Sequence, residues 1–181
     1  VRGLIGMAGM SYGALGERAI TALSIGLGRA GGTWMNTGEG GLSSYHLKGN
    51  VDLVLQIGPG LYGVRTPDGE MSWEQLKKKA TIDQIKAFEL KLAQGAKTRG
   101  GHLEAEKVTE EIARDRGIVP FQSNDSPNRF QQFSDVYGLL DFVEQIREVT
   151  EKPVGIKIVV GQEKDVYQLA ETMKETGKKP D

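Results

Sequence analysis

The chain has 181 residues, 23 basic and 24 acidic side chains, a formal net charge of −1 and no cysteine. This length allows one domain with a substantial core, or part of a larger domain. The balanced charge argues against a nucleic-acid or anionic-membrane surface, and no apolar run approaches the roughly 20 residues of a membrane span. Without cysteine, this stretch offers no disulfide, reactive thiolate or iron–sulfur ligand, and it suits a reducing compartment.

The first part of the chain alternates apolar runs with glycine-rich turns. Residues 4–10 predict a buried strand, residues 14–30 a helix and residues 33–36 a second strand. The predicted helix has one face of mostly small residues: Ala19, Ala22, Leu23, Gly26, Leu27 and Ala30. The turns that follow the two strands are rich in glycine, which lets a backbone lie close to a planar or anionic ligand because no Cβ intervenes.

The middle of the chain carries weaker patterns. Residues 52–57 and 61–65 flank a Gly-Pro-Gly turn and predict an excursion hairpin rather than a central strand pair. Residues 87–93 alternate apolar and polar side chains, which is typical of a strand. Residues 104–116 predict a charged helix that ends at Gly117 in a left-handed cap, and residues 118–122 predict a short strand.

The last third has the clearest periodicity. It predicts a helix over residues 135–150, a strand over residues 154–160 and a helix over residues 163–176. One face of the strand is purely aliphatic: Val154, Ile156, Ile158 and Val160. The other face carries Gly155, Lys157 and Val159.

The repeated strand–helix order places the chain in the α/β class, with a parallel sheet and right-handed crossovers. An open doubly wound sheet and a closed (β/α)8 TIM-type barrel both use this order. The strand at residues 154–160 favours the barrel, because its aliphatic face suits packing on helices and its other face suits a barrel interior. About five strand–helix units are present, so we expect residues 1–181 to form an incomplete portion of one barrel domain.

Several other patterns predict no catalytic or metal-binding site. His46 and His102 have no second histidine or cysteine at ligand spacing, so no metal site is predicted. Ser43 and Ser44 lie near His46, but nothing resembles a nucleophile elbow. The three lysines at residues 77–79 indicate a solvated helix face.

Four segments resemble a known family in their order and spacing. They are Gly-Met-Ser-Tyr-Gly-Ala-Leu at residues 9–15, Asn-Thr-Gly-Glu-Gly-Gly at 36–41, Lys-Leu-Ala-Gln-Gly-Ala-Lys at 91–97 and Gly-Ile-Lys-Ile-Val at 155–159. Together they resemble the FMN-binding synthase domain of glutamate synthase, and the likeness runs over nearly the whole chain. The resemblance implies an eight-stranded α/β barrel that holds FMN and reduces the imine of 2-oxoglutarate and ammonia to L-glutamate.

The same resemblance implies roles for individual residues. The residues expected to contact the flavin are Met10, Ser11, Asn36, Thr37, Gly38, Gln94 and Lys157. Lys157 also has a physical argument of its own, because a fixed cation near N1 and O2 of the flavin favours its acceptance of electrons. Glu39 and Lys97 are expected on the substrate side as catalytic residues, with Lys97 pairing with a carboxylate of 2-oxoglutarate.

The resemblance also implies partners. These are 2-oxoglutarate, ammonia supplied directly or from glutamine, and an electron donor that is ferredoxin or an NAD(P)H-linked protein, in a cytoplasmic setting. Any iron–sulfur cluster would need ligands outside this chain, and this segment alone is expected to bind FMN weakly or not at all and to be inactive. Residues 98–101 and 124–130 depart from the family pattern near the expected substrate pocket. An N-methylglutamate synthase-type enzyme and a non-catalytic binding module that retains the barrel fold are therefore alternatives.

Overall fold

The computed structural model describes residues 3–95 and 100–181 of the protein. Five parallel strands form one curled sheet, half of a TIM-type barrel, which confirms the predicted fold class. In spatial order these strands are β1 (Gly6–Met7), β2 (Trp34–Asn36), β3 (Asp52–Ile57), β4 (Ile85–Lys91) and β7 (Val154–Lys157). Each strand pairs in parallel with its neighbour along the sheet.

The helices are α1 (Glu17–Ala30), α2 (Trp73–Ala80), α3 (Glu110–Arg116), α4 (Val136–Thr150) and α5 (Glu163–Thr176). Between β4 and α4 the chain also forms a short antiparallel pair, β5 (Gly101–Leu103) with β6 (Asn124–Ser126). The pair brings Gly101, from the first segment that departs from the family sequence pattern, next to residues 124–126 of the second.

The two faces of the curled sheet differ in chemistry. The outer face carries the main core, in which strand residues such as Leu55 and Leu90 pack against Ile20 of α1, Leu76 of α2 and Val143 of α4. The inner face carries polar side chains, among them Gln56, Glu89 and Lys91. This alternation follows from the two-residue period of a strand, which sends successive side chains to opposite faces.

Polar side chains define where several helices begin. Ser72, Thr109 and Asp135 each accept a hydrogen bond from a backbone N–H in the first turn of α2, α3 and α4. Such caps satisfy amide groups that have no partner within the helix and stabilise its start by about 1 kcal/mol. Gly117 ends α3 in the left-handed conformation, as the sequence predicts, and Gly177 ends α5 in the same conformation.

Two predictions in the first 65 residues are wrong. The predicted strand at 4–10 contracts to Gly6–Met7, and Leu4 and Ile5 are exposed, since β1 has only β2 as a neighbour among the described residues. The predicted hairpin is absent. Residues 52–57 instead form β3, which is buried along its whole length between β2 and β4, and residues 61–65 form turns.

Five further predictions differ from the structure. The helix predicted over residues 104–116 is a single 3-10 turn, Ala105–Lys107, followed by α3, and residues 118–122 contain no strand. The strand predicted over residues 154–160 ends at Lys157, where its partner β4 also ends at Lys91. On α1 the buried residues are Ile20 and Ser24, whereas the predicted alanines are exposed. On α5, Val166 is exposed, although the helix has its predicted bounds.

Within residues 3–95 and 100–181, no helix has both the length and the apolar character needed to cross a membrane.

Candidate functional site

A polar cavity of about 460 Å³ lies at the carboxyl ends of the parallel strands. Its lining combines the turn after β1, the loop after β2, the end of β4 and the β5–α3–β6 segment; the side chains that line it include Ser11, Glu39, Lys91, Gln94, His102, Lys107, Arg116, Asn124 and Ser126. In parallel α/β barrels the carboxyl ends of the strands carry the reactive groups. A cavity of about 710 Å³ between α2 and α4 is larger, but it lies by Lys152, which precedes β7 at the opposite end of the strands.

Glu39, Lys91 and Gln94 form a closed triangle of hydrogen bonds on one wall of this cavity. Lys91 Nζ donates to Glu39 Oε1 at 2.7 Å and to Gln94 Oε1 at 2.9 Å. Gln94 Nε2 donates to Glu39 Oε2 at 2.8 Å. The side chains of Lys91 and Glu39 are only 18% and 14% exposed, so this ion pair is better shielded from water than a surface pair.

A glycine makes room for this triangle. A Cβ placed on Gly58 would stand 2.1 Å from Glu39 Oε2, well inside van der Waals contact. Gly58 has no unusual backbone conformation that would itself require glycine. The position therefore fits glycine because of the close approach of the Glu39 carboxylate.

Asn36, Thr37 and Gly38, three predicted flavin contacts, build the loop between β2 and the cavity. Asn36 Oδ1 accepts from Gly38 N at 2.9 Å, and Thr37 Oγ1 donates to Gly38 O at 3.0 Å. Asn36 Nδ2 also donates to Glu89 Oε1 on the inner face of the sheet at 2.9 Å. Because Asn36 and Thr37 are buried, these bonds fix the shape of the loop from beneath.

The turn after β1 lies directly against this loop. A Cβ on Gly38, whose φ is 69°, would stand 2.6 Å from Ser11 N. Ser11 lines the cavity, and its hydroxyl makes no hydrogen bond within the described residues. Met10 donates its N–H to Asn36 O at 3.3 Å, so the first two strand ends are held together.

His46 supports the same turn from behind. Its Nε2 lies 2.9 Å from Met10 O, and its Nδ1 lies 3.2 Å from Ser43 N. Since Ser43 N can only donate, Nδ1 is the acceptor and Nε2 carries the proton. Burial of this fully enclosed ring lowers the pKa of His46 below its usual value. His46 is thus a neutral structural residue that fixes the Met10 carbonyl.

Arg116, at the end of α3, is buried and lines the cavity, although it was not among the predicted site residues. Its Nη2 donates to Tyr12 O at 3.4 Å, and its Nε has no hydrogen-bond partner. None of the ion pairs among the described residues includes it. Burial lowers the pKa of Arg116, and the nearby Tyr62 and Glu39 act in the opposite direction.

Helical spacing provides the signal that identifies Arg116. It lies four residues after Ile112 and three after Ala113, and both of these belong to the small second core. An arginine on the buried stripe of a short helix is unusual, because burial of an unpaired charge is costly. Arg114, two residues earlier, points to solvent and pairs with Asp115.

Lys157 and Lys97 are the two remaining predicted site residues. Lys157 ends β7 on the inner face, next in register to Lys91, and its side chain is exposed and outside the cavity lining. Lys97 lies outside the described residues. In the part of the chain that is described, no group of three or more His, Asp or Glu side chains has a geometry suited to a metal ion.

The described fold and cavity define a partial α/β barrel with a charged pocket at the carboxyl ends of its strands. The conserved region of glutamate synthase matches residues 1–177, and the chain belongs to the glutamate synthase family.

Three relatives align with most or all of the chain, at different levels of sequence identity. The glutamate synthase large subunit-like protein YerD of Bacillus subtilis is 62% identical over 181 residues, which is 100% of this chain and 34% of that protein. An archaeal-type glutamate synthase (NADPH) of Thermotoga maritima is 35% identical over 82% of this chain and 27% of its own length. An archaeal glutamate synthase (NADPH) of Methanocaldococcus jannaschii is 35% identical over 84% of this chain and 28% of its own length. The chain thus spans about a third of the length of these relatives.

Proposed function

We propose that this chain forms part of an FMN-dependent oxidoreductase barrel that reduces 2-iminoglutarate, formed from 2-oxoglutarate and ammonia, to L-glutamate. Two findings support this proposal. The chain belongs to the glutamate synthase family, and its cavity brings Arg116 together with Glu39, Lys91 and Gln94 at the carboxyl ends of the strands. Bound FMN would supply the electrons for reduction of the carbon–nitrogen double bond.

The residues around the turn after β1 fit a flavin. Gly9 and Gly13 line the cavity without side chains, so a planar ring can approach the backbone there. The Ser11 hydroxyl is available to donate to a ring or phosphate oxygen. Its neighbour Met10, the loop residues Asn36, Thr37 and Gly38, the cavity residue Gln94 and the strand-end residue Lys157 complete the proposed flavin contacts.

Arg116 is the observation that carries the substrate assignment. A buried guanidinium with an unused N–H is costly unless an anion faces it, and a carboxylate accepts two parallel hydrogen bonds from it. Lys107 adds a second cation that has no ion-pair partner within the described residues, whereas Lys91 is matched by Glu39. The cavity therefore has an excess of positive charge, which suits a dicarboxylate such as 2-oxoglutarate. Lys97 is proposed as a partner of its second carboxylate.

Glu39 suits the nitrogen of the substrate. Both of its carboxylate oxygens accept hydrogen bonds, from Lys91 and from Gln94, which hold the group in a fixed orientation at the cavity wall. Each oxygen has a further lone pair for an N–H of the bound imine. We propose that Glu39 orients the imine nitrogen. Lys91, which is hydrogen-bonded to the Glu39 carboxylate, would donate a proton to that nitrogen.

The outer edge of the sheet supports the proposal that the chain is part of a barrel which the longer protein completes. Among the described residues β7 pairs as a strand only with β4, and on its other edge Asp181 bonds the N–H and C=O of Val154. Val159 and Val160 beyond the strand are exposed, and exposed apolar residues beside a strand edge favour pairing with a further strand.

The test uses the full-length protein that contains this chain. We expect a yellow preparation whose flavin absorbance is bleached by a reduced donor and restored by 2-oxoglutarate with ammonia, with L-glutamate as the product. A preference for methylamine over ammonia would assign the N-methylglutamate reaction instead. A folded, colourless protein that binds no FMN would contradict the proposed activity and favour a binding module.

A further inference from the structure

Tyr62 lies behind the cavity, in the turn that follows β3. It is fully buried, yet it is not one of the residues that line the cavity. The turn is held by a hydrogen bond from Gly63 N to Arg116 O at 3.0 Å, so its backbone is joined directly to the end of α3. A Cβ on Gly60 would stand 2.5 Å from the Tyr62 ring, which shows how closely the turn encloses it.

The Tyr62 ring contacts the cation that faces the cavity. The guanidinium carbon of Arg116 lies 5.2 Å from the centre of the ring, and that of Arg65 lies 5.8 Å away. Both distances fall within the range of about 6 Å in which a cation is attracted to an aromatic face. Apart from the long bond from Arg116 to Tyr12 O, the guanidinium of Arg116 has no hydrogen bond or ion pair among the described residues.

The Tyr62 hydroxyl fixes the ring from its other end. It donates to Asp125 O at 3.1 Å and accepts from Ser126 Oγ at 3.4 Å, and both partners belong to β6. The ring is thus held between the turn after β3 and a strand whose Asn124 and Ser126 line the cavity. These bonds fix the axis of the ring, and the close packing of the turn at Gly60 restricts rotation of its plane.

We propose that Tyr62 is a positioning residue, whose ring holds the Arg116 guanidinium toward the cavity and so sets the affinity of the site for a dicarboxylate substrate. The inference rests on the proposed function of Arg116 and adds the group that orients it. A planar guanidinium binds a carboxylate well only when its N–H groups already point at the carboxylate oxygens. Without the ring, Arg116 would sample other orientations, and part of the binding free energy would be spent on ordering it.

The experiment compares variants of the full-length protein under saturating ammonia and electron donor. Tyr62→Leu removes the ring, and Tyr62→Phe retains it. We expect Tyr62→Leu to raise the KM for 2-oxoglutarate roughly threefold to thirtyfold, the range of a shielded cation–ring contact, with kcat nearly unchanged. Tyr62→Phe is expected to stay close to the parent KM. Tyr137→Phe is the matched control, because it removes a tyrosine hydroxyl bonded to Glu175 on the surface.

The same substitution in the Arg116→Gln protein distinguishes a positioning role of Tyr62 from a general loss of structure. In Arg116→Gln protein, which has no guanidinium to orient, we expect Tyr62→Leu to raise the KM by less than about twofold. An equal effect in both backgrounds would overturn the inference, as would an unchanged KM in a folded Tyr62→Leu variant. If Tyr62→Leu does not fold, Tyr62→Met fills more of the same space and takes its place.

The two proposals fail in different ways. If Arg116→Gln raises the KM but Tyr62→Leu does not, the positioning role is wrong and the substrate assignment stands. If Arg116→Gln itself leaves the KM unchanged, the substrate assignment is wrong, and the inference about Tyr62 falls with it.

Discussion

The two faces of the curled sheet obey different constraints. On the outer face, Leu53, Leu55 and Leu90 need only the volume and shape that fill the space under the helices. On the inner face each polar side chain depends on a particular partner: Glu89 Oε1 accepts from Gln56 at 2.5 Å and from Asn36 at 2.9 Å. The outer face therefore determines whether the barrel segment folds. The inner face determines what the cavity at the carboxyl ends of the strands can bind.

We expect the largest difference in stability between the faces when two neighbouring residues of β4 are substituted. Leu90 is fully buried in the outer core, and Leu90→Ala should lower the free energy of unfolding by about 2–5 kcal/mol. Glu89→Gln keeps an acceptor oxygen for Asn36 and Gln56, so we expect a loss of about 1 kcal/mol. Urea unfolding of both variants, followed by circular dichroism, measures the difference. Equal losses would show that the two faces are not distinct in this way.

Two glycine substitutions test the hydrogen-bonded triangle of Glu39, Lys91 and Gln94 separately from the outer core. Gly58→Ala would push the Glu39 carboxylate away from Lys91 and Gln94, and we expect kcat/KM to fall about tenfold or more, the cost of charge-assisted hydrogen bonds. The side chain of Glu39 can move toward the cavity, so the loss of stability should stay below about 1 kcal/mol.

Gly26→Ala is the matched control. A Cβ at this exposed position in α1 meets no atom within 4 Å, and helix propensity predicts a gain of about 0.5–1 kcal/mol with unchanged activity. Full activity of Gly58→Ala, or an equal loss in Gly26→Ala, would contradict the role of the glycine at residue 58.

The two histidines should differ in the sign of their pH dependence. Burial lowers the pKa of His46, so below its unfolded value of about 6.5 the unfolded chain binds a proton that the folded chain does not, and stability falls with acid. Hydrogen bonds to Asp125 and Glu104 raise the pKa of His102, so its contribution is present below that value and is lost as pH rises through the raised pKa.

Nuclear magnetic resonance of protein labelled with ¹³C-histidine measures both titrations, with His46→Asn and His102→Asn assigning the signals. We expect His102 to titrate above His46. The reverse order would show that the environments of the two rings are wrongly described.

The sequence predicted those parts of the fold that have strong periodicity. α4, α5 and β4 follow regular apolar patterns and lie close to their predicted positions. β3 was predicted as one arm of a hairpin because the Gly-Pro-Gly turn that follows it favours that structure. The polar residues Asp52 and Gln56 gave no sign that all six residues of the strand are buried.

The sequence identified residues of the cavity only where a recognisable motif directly follows a predicted strand. Glu39, Ser11 and Gln94 follow strands and do line one cavity. Arg116 was not predicted, although helical spacing places it on the buried side of α3 with Ile112 and Ala113. Its position in the cavity depends on the contact with Tyr12 O, 104 residues earlier in the chain, which leaves no local signal in the sequence. The antiparallel β5–β6 pair was not predicted because three-residue strands carry almost no periodic signal.

We propose above that the buried guanidinium at the end of α3 binds a substrate carboxylate. The direct measurement is the KM for 2-oxoglutarate of full-length Arg116→Gln protein, with Arg114→Gln as a control that removes an exposed arginine from the same helix. We expect the KM to rise about tenfold or more in Arg116→Gln, from loss of a charge-assisted hydrogen bond, and less than about twofold in Arg114→Gln. Equal KM values for the two folded variants would contradict this proposal.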